Sequence, residues 1–297
     1  MKKLKLSIII TAKDLFNSKL RELKRSIDRQ TYPAHLYEVL IITNGTAESA
    51  KGIGLKKAKG EIICFMASDN YLNDNEFISK CMKPFEDKLL VGAYPIQYYY
   101  NKSDGSLNRY FSLMGCNDPV AFYLKKKDRY SYLSNHPKKF SYWIEDIPFV
   151  STIGDNGFFI RKKILMQADI EYYFHIDVCQ DLFDKGYKTY ALVNTTIWHR
   201  TGGNFFKFFV KRFKYADQFA ENRRWHMVTR RDIPKLALFI LYTLTLVQPL
   251  YVSFKGYRKV KDVAWFMHLP VCWATLITYS LLVVKRCLYR LLSRRVT

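Results

Sequence analysis

The chain has 297 residues, with 48 Lys and Arg against 26 Asp and Glu, so its formal net charge is +22. Hydrophobic residues make up 49% and aromatic residues 16% of the sequence, which is enough apolar surface to offset the entropy of folding and excludes a disordered, collagen-like or low-complexity protein. The six cysteines are scattered without a close pair. This spacing disfavours a zinc ribbon or a disulfide scaffold and favours a reducing compartment.

The basic residues are densest after about residue 200, where they flank two long apolar runs. A charge of +22 is typical of proteins that bind nucleic acid, an anionic membrane surface or phosphate-rich substrates. No nucleic-acid recognition motif accompanies the charge, so its position favours the membrane. The first apolar stretch is short and turns polar at Thr11, which predicts a strand rather than a signal peptide, and we expect a cytoplasmic amino terminus.

The amino-terminal part of the chain alternates between apolar and amphipathic segments. Apolar, β-branched runs predict strands at residues 6–10, 38–42 and 61–66, and a helical pattern predicts a helix within residues 15–30 and a shorter one after residue 46. This order predicts an α/β domain with a parallel sheet, in which ligands bind beyond the carboxyl ends of the strands. The polar residues expected at that edge are Thr11, Asp14, Thr43, Asn44, Ser68, Asp69 and Asn70.

The pattern is weaker in the middle of the chain. Residues 91–150 are aromatic and basic, and we expect strands and loops that form one wall of a cleft. A strand should end near Ile160, with a helix from Arg161 onward. A further helix is predicted at residues 177–184 with Gly186 as its C-cap, and a last strand at residues 190–193 together with Ile197.

The carboxyl-terminal part has the composition of a membrane-associated segment. Phenylalanines alternate with Lys and Arg over residues 203–225, which is typical of a helix in a membrane interface; a core-facing helix is the alternative. Residues 236–254 and 263–284 lack Lys, Arg, Asp and Glu, and each is near the length that spans a bilayer. Because Pro249 and Pro270 interrupt these runs, we expect kinked or tilted spans. Basic residues outside the pair outnumber those between the runs, which favours a hairpin with both termini in the cytoplasm; a re-entrant or in-plane pair is the alternative.

Seven short segments resemble a known family when their order and spacing are considered together. They are residues 6–12 (LSIIITA), 30–33 (QTYP), 38–46 (EVLIITNGT), 58–70 (AKGEIICFMASDN), 154–162 (GDNGFFIRK), 177–186 (DVCQDLFDKG) and 198–199 (WH). The chain from residue 5 to about 202 thereby resembles the family-2 glycosyltransferases. These are inverting, nucleotide-sugar-dependent enzymes with the Rossmann-like A-type glycosyltransferase fold.

The resemblance implies a donor site at the carboxyl edge of the sheet. In the family, the turn after the second strand usually carries an Asp that binds the nucleotide, whereas this chain has Thr43 and Asn44, whose side chains still form hydrogen bonds. The residues expected to contact the nucleotide sugar are Thr11, Ala12, Lys13, Thr43, Asn44, Ser68, Asp155 and Asn156. The candidates for phosphate contacts are Lys13, Arg129 and Arg161, with solvated surface cations as the alternative.

The family also places a D-x-D motif after the third strand, where two carboxylates serve a divalent metal that bridges the donor diphosphate. This chain has Ala67-Ser68-Asp69, so only the second carboxylate is present. The resemblance implies that Asp69 is a ligand of Mg²⁺ or Mn²⁺ and that His199 lies near the metal or the diphosphate. A turn cap at Asp69 and a structural His199 are the alternatives.

An inverting transfer requires a base that takes the acceptor's proton. The family places this base at the start of the helix that precedes the Gly corresponding to Gly186. Asp177 is the first candidate and His175 the second, while Asp181, one helical turn further on, is expected to be solvated or supporting. The alternative role of Asp177 is to cap its own helix.

A last likeness lies beyond the catalytic region. Residues 221–225 (ENRRW) are similar to the Q-x-x-R-W motif of membrane-bound polysaccharide synthases, in which the Arg meets the diphosphate and the Trp stacks on the acceptor sugar. The resemblance implies these roles for Arg224 and Trp225. Glu221 replaces the Gln, and two spans are few for a polymer channel, so transfer of single sugars is expected.

Together these features predict a nucleotide-sugar-binding α/β domain of the A-type glycosyltransferase fold, a carboxyl-terminal interfacial helix and a two-helix membrane hairpin. The expected divisions are 1–202 (catalytic), 203–235 (interfacial), 236–285 (two spans) and 286–297 (basic tail). We expect a multi-pass protein of the cytoplasmic membrane, with its catalytic domain in the cytoplasm, that transfers a sugar to an isoprenoid phosphate or lipid-linked oligosaccharide. A processive synthase and a catalytically silent partner of another transferase are the alternatives. The oligomeric state is left open.

Overall fold

The computed structural model describes residues 4–135, 140–147, 154–170, 173–201, 203–221 and 229–293. The strands in these ranges are β1 (Leu6–Thr11), β2 (Tyr37–Ile42), β3 (Ile62–Ala67), β4 (Asn70–Tyr71), β5 (Gly92–Tyr98), β6 (Tyr142–Asp146), β7 (Phe158–Arg161) and β8 (Thr189–His199). The α-helices are α1 (Ser18–Asp28), α2 (Ala47–Lys57), α3 (Phe77–Met82), α4 (Ser106–Met114), α5 (Pro119–Tyr123), α6 (Lys162–Leu165), α7 (His175–Asp184), α8 (Phe205–Glu221), α9 (Ile233–Thr245), α10 (Val247–Lys259) and α11 (His268–Ser293).

One mixed sheet organises residues 4–201, with the strand order β2-β1-β3-β7-β5-β8-β4 and with β6 also paired to β8. Strands β1, β2 and β3 are parallel, and β7 runs antiparallel to both β3 and β5. Strand β8 is parallel to β5 and antiparallel to β4 and β6. In the register of the first three strands, Thr11 lies opposite both Ile42 and Ala67. Their carboxyl ends therefore meet at one edge, as the sequence predicts.

The sheet is covered on both faces, which explains why its inner strands are continuous apolar runs. On one face, Leu20, Leu23 and Ile27 of the amphipathic helix α1 belong to a buried cluster with Ile8 and other strand residues. On the other face, Leu55 of α2 packs with further strand residues in a second cluster. The predicted α/β class and the predicted strands and helices of this region are confirmed.

The middle of the chain differs from the prediction of strands and loops, because α4 and α5 lie there alongside β5 and β6. Helix α4 has only nine residues and ends at Gly115, whose φ is +75°. A side chain at Gly115 would place its Cβ 2.5 Å from the carbonyl oxygen of Arg129. Helices this short leave too few turns for a clear hydrophobic period.

The first predicted membrane span is not a single helix. Helices α9 and α10 are bent by 82° at a break, where Leu246 has a φ of +61°. Pro249 lies in the first turn of α10, a position that proline tolerates because the backbone N–H there has no partner within the helix. In the second run, one helical segment, Val263–Tyr289, is long and apolar enough to cross a membrane by length and composition.

Helix α8 is amphipathic, and part of its apolar side is buried against the rest of the protein. Phe209 is buried and Phe205 and Phe208 pack against the same cluster, which includes Phe111 of α4 and Trp265. Among its described apolar side chains, Phe206 and Val210 are exposed, at 78% and 57%. The predicted interfacial helix therefore also packs between the sheet-containing part of the chain and the helices that follow it.

Candidate functional site

The predicted metal ligands come together where β3 ends and β8 ends. Asn70 pairs with His199 in the short β4–β8 ladder, and Asn70 Oδ1 accepts a 2.9 Å hydrogen bond from the backbone N–H of Ala67, which closes the turn after β3. As a result, His199 Nε2 lies 3.5 Å from Asp69 Oδ1. The two side chains are mostly buried, with 11% and 19% of their surfaces exposed.

The electrostatic surroundings keep Asp69 ionised. Burial by itself would raise the pKa of Asp69, but His199, Lys19 and Lys211 together lower it to about 2. The group therefore presents a carboxylate at any physiological pH. A carboxylate and an imidazole in one pocket are suitable ligands for a divalent cation such as Mn²⁺.

The depressed pKa predicts a pH-dependent contribution to folding. Since the folded-state pKa of about 2 lies below the usual unfolded value of about 3.9, the carboxylate stabilises the fold above about pH 4, and this contribution is lost as the pH falls toward 2. We expect Asp69 to contribute roughly 2 kcal/mol at pH 6 and about half of that at pH 3. Urea unfolding of the wild type and Asp69→Asn at both pH values measures this difference. A difference that does not change with pH would contradict the prediction.

A cavity of about 280 Å³ opens beside this pair. Its walls come from the ends of β3 and β8, the loop before β7, the start of α7, the region around α5, and helices α8 and α11. The lining residues that were predicted from the sequence are Asp69, Asp155, Asn156, His175 and His199. The cavity therefore unites the predicted metal ligands, a predicted sugar-binding loop and one of the two predicted bases.

The loop before β7 is held by hydrogen bonds from the buried Arg129. Its guanidinium donates to the carbonyl oxygens of Asp155 and Asn156, at 3.2 and 2.6 Å. Asn156 has a left-handed φ of +55°, and its side-chain oxygen accepts a 3.0 Å bond from Asn70 Nδ2. Arg129, a predicted phosphate contact, is thus engaged in positioning the loop, and its side chain is 1% exposed.

A charged cluster missed by the sequence reasoning lies behind His175. Lys51 Nζ, on α2, is 3.1 and 3.2 Å from the two oxygens of Glu48 and 3.0 Å from Asp155 Oδ2. His175 Nδ1 is 3.2 Å from Glu48 Oε1. Burial alone would lower the pKa of Lys51, but Asp155 and Glu48 raise it above its ordinary value, so the ammonium stays charged.

This cluster also resembles a metal centre, because ligand atoms of Glu48, Asp155 and His175 lie within 4.8 Å of one another. Lys51 Nζ already contacts both carboxylates. The positive charge of Lys51 balances the negative charge of these two carboxylates, as a bound metal ion would. We therefore regard Lys51 as the cation of this second group, and Asp69 and His199 remain the predicted metal ligands.

The two predicted bases occupy different environments although they are only two residues apart. His175 lines the cavity, and 13% of its side chain is exposed. Asp177 is 1% exposed and does not line the cavity. Residues two apart on a helix point in different directions, and packing decides which one faces the substrate.

Asp128 is a further carboxylate of the site that no motif indicated. It lines both the first cavity and a second cavity of about 640 Å³, and its Oδ2 accepts a hydrogen bond from the hydroxyl of Tyr98. Burial raises its pKa above the ordinary value, although Arg129 and Tyr98 act in the opposite direction. The second cavity extends to Gln248 at the start of α10.

The other residues that were predicted to contact the nucleotide sugar or a phosphate do not line the first cavity or lie outside the described residues. Thr11, Ala12, Lys13, Thr43, Asn44 and Ser68 follow or end the three parallel strands at the predicted edge, but none of them lines the first cavity. Arg161 donates to the carbonyl oxygens of Phe85, Asp87 and Leu90, so it binds backbone rather than phosphate. Arg224 and Trp225 lie outside the described residues.

Comparison with known proteins gives distant structural likenesses. A mannosyltransferase from Pyrobaculum calidifontis, in complex with GDP-Man and Mn²⁺, is 13% identical over 96% of this chain and 80% of that chain, with a TM-score of 0.46. S. aureus TarS 1-349 is 13% identical over 89% of each chain, with a TM-score of 0.42. Glucosyl-3-phosphoglycerate synthase from Mycobacterium tuberculosis, in complex with Mn²⁺ and UDP-glucose, is 14% identical over 69% of this chain and 73% of that chain, with a TM-score of 0.43. No family model matches the chain, and no curated protein matches it.

Proposed function

We propose that this protein is an inverting glycosyltransferase of the family-2 type, which transfers a sugar from a nucleoside-diphosphate donor. The observation that supports this most strongly is the shared cavity. Asp69 and His199 line one part of it at the carboxyl ends of β3 and β8, while His175 enters it from the start of α7. A cation site and a base in one cavity are what an inverting transfer from a diphosphate donor requires.

Asp69 and His199 would hold the divalent cation, Mn²⁺ or Mg²⁺. When bound, this cation supplies positive charge that stabilises the departing nucleoside diphosphate. Ala67 contributes no ligand, so the protein offers fewer carboxylates than a complete D-x-D motif would. The ionised state of Asp69, with its pKa near 2, suits it to bind a cation without first losing a proton.

The acceptor oxygen, a sugar hydroxyl of a lipid-linked oligosaccharide or a phosphate oxygen of an isoprenoid phosphate, forms the new bond to the anomeric carbon as the bond from that carbon to the diphosphate oxygen breaks. When the acceptor is a hydroxyl, we propose that His175 takes its proton, because His175 lines the cavity and its Nδ1 is held 3.2 Å from Glu48 Oε1. With Nδ1 engaged, the opposite ring nitrogen is the one available to accept a proton. Lys51 and Asp155 fix Glu48 and the neighbouring loop in place.

The acceptor is proposed to be attached to lipid at the cytoplasmic face of the membrane, either an isoprenoid phosphate or a lipid-linked oligosaccharide. Phe208 and Lys211 of α8 and Tyr279 of α11 form part of the cavity wall. The second cavity leads from the bend between α9 and α10 to Asp128. An acceptor held beside these apolar and basic helices would thus be near the donor.

Turnover by detergent-purified protein tests the proposal directly. UDP- and GDP-sugars are each incubated with Mn²⁺ or Mg²⁺, with and without an isoprenoid phosphate, and the released nucleoside diphosphate is measured. We expect metal-dependent release from one donor. If no donor is turned over under any of these conditions, the protein is not the proposed enzyme, and a silent partner of another transferase becomes the better explanation.

The assignment of the base makes a separate prediction. General bases contribute about a hundredfold or more to a rate, so we expect His175→Gln to lower sugar transfer at least about a hundredfold while donor binding is retained. Asp177→Asn should lower transfer by less than about tenfold, because that carboxyl group does not line the cavity. The matched control is His35→Gln, since His35 is exposed and lies outside the site. The reverse order of effects would move the base to Asp177.

A further inference from the structure

The lengths of α9 and α10 do not suit a membrane crossing. Each has 13 residues, which gives a helix about 20 Å long at 1.5 Å per residue. The hydrocarbon core of a bilayer is about 30 Å thick. Because the two helices meet at 82°, they do not add up to one straight span either. A shape of this kind fits a helix pair that lies in the plane of an interface.

Helix α11 is long enough to cross, but it is docked along its length on polar groups of α4, of the residue before α5 and of α8. His268 Nδ1 lies 2.6 Å from the hydroxyl of Tyr110, and the hydroxyl of Tyr279 donates to Asp118 at 2.5 Å. Further along, Lys285 pairs with Asp217 of α8. From the first to the last of these contacts, α11 rises about 26 Å, which is most of a bilayer's apolar thickness.

This packing is incompatible with a bilayer surrounding α11. Asp118 pairs with Arg212 beside Tyr279, and both ionised groups would have to lie at membrane depth together with Asp217. Placing a charged side chain in the bilayer centre costs about 3 kcal/mol or more. Only the side of α11 that faces away from these polar contacts is therefore available to contact lipid.

The free side of these helices is apolar. Many apolar side chains of these helices are more than half exposed, among them Leu241, Leu244, Val247, Tyr251, Phe254 and Leu281. They come from α9, α10 and α11, which pack against one another. Exposed apolar side chains at this density are typical of a surface that meets a partner or a membrane.

The charges around this surface are of one sign. The residues Arg231, Lys235, Lys255, Arg258 and Lys261 are exposed and lie at or beside the outer ends of α9 and α10. The two carboxylates within residues 229–293, Asp232 and Asp262, are buried and paired with Lys126 and Arg109. Cations around an apolar surface complement the anionic headgroups of a bilayer, at about 1 kcal/mol per Lys or Arg.

We infer that α9, α10 and α11 attach the protein to one leaflet of an anionic bilayer, lying along its surface without crossing it. The inference rests on the membrane attachment in the proposed function and replaces the hairpin of two spans. It does not depend on the transfer reaction.

Labelling of cysteines in the full chain distinguishes the two topologies. Cys287→Ser removes the one exposed cysteine among the described residues, and Lys235→Cys or Arg258→Cys then adds a single reporter in the first turn of α9 or the last turn of α10. With an impermeant maleimide, we expect both reporters to react in inverted membrane vesicles and neither to react in spheroplasts. Labelling of the Arg258→Cys protein in spheroplasts would show that the loop crosses the membrane and would overturn the inference.

Vesicle flotation tests the lipid. The purified chain is mixed with vesicles of phosphatidylcholine alone or with phosphatidylglycerol added, and we expect at least tenfold tighter binding to the anionic vesicles, which high salt reverses. Replacing Lys255, Arg258 and Lys261 by Gln should remove most of this preference. The matched control replaces the exposed Lys24, Lys56 and Lys88 by Gln and should bind like the wild type.

Equal binding to both vesicles, or binding to neither, would overturn the inference. If the chain binds to neither kind of vesicle, an increase in its molecular size in solution would show that protein, and not lipid, covers the apolar surface. Donor turnover measured in detergent on the same samples reports separately on the proposed function, since none of the substituted residues lines either cavity.

Discussion

Asp69→Asn is expected to lower donor turnover by at least about a hundredfold and to remove its dependence on Mn²⁺. The substitution keeps the shape of the side chain but removes the negative charge that lies 3.5 Å from His199 Nε2. A metal ion contributes several kcal/mol to stabilising a leaving group, and about 3 kcal/mol corresponds to more than a hundredfold in rate. Initial rates over a range of Mn²⁺ concentrations measure both effects.

The matched control for this variant is Asp184→Asn. Asp184 is exposed on α7, and its side chain accepts a 2.8 Å hydrogen bond from Gln180. It lines neither of the two cavities. We expect that variant to keep wild-type turnover. Unchanged Mn²⁺ dependence in Asp69→Asn would assign the cation to other residues, and Glu48, Asp155 and His175 would be the next group to examine.

Trp265→Ala is expected to lower the free energy of unfolding by about 3–5 kcal/mol. Its indole is fully buried and packs on Gly256, where an added Cβ would lie 2.2 Å from the ring. Removing it opens a void between α10, α4 and the start of α11, and the surrounding helices can fill that void only in part. Since Tyr279 of α11 lines the cavity, a looser α11 should also reduce transfer.

Urea unfolding in detergent measures this change. Tyr289→Ala, on the exposed side of α11 at 74% exposure, is the matched aromatic control and should change stability by less than about 0.5 kcal/mol. Gly256→Ala probes the same contact from the other side, and we expect a cost of about 1–3 kcal/mol from overpacking. If Trp265→Ala were as stable as the control, α11 would not depend on this contact for its docking.

The strands, and the position of Asp69 at the edge of the sheet, could be predicted because their signals are local. The apolar runs of β1 and β3 are buried, and β2 at the edge of the sheet is half-buried. A sheet whose parallel strands end at one edge then places Asp69 where ligands bind in such folds. His199 is named because it resembles a residue that the family places after the last strand, near the metal or the diphosphate. Family resemblance supplied the roles, and the β4–β8 pairing supplied the contact.

The parts that were missed depend on packing between distant segments. Glu48 and Lys51 are charged residues on a helix, and a sequence does not distinguish such residues from a solvated face until the loop carrying Asp155 packs against them. The choice between His175 and Asp177 likewise depends on which side of α7 meets the cavity. The sequence predicts a kink in the first apolar run from Pro249, but the break falls at Leu246, whose φ is +61°, and nothing in the sequence indicates that its angle is 82°.

The pairing of β8 with β4, β5 and β6 has a consequence for the order of assembly. Asp69 is synthesised early and His199 late, so a growing chain cannot bring these two predicted metal ligands together until β8 has emerged and joined strands made long before it. Contacts between segments so far apart in sequence form slowly, because a long loop must close first. A chain without β8 therefore cannot place His199 beside Asp69, and the candidate site is assembled only when the sheet is complete.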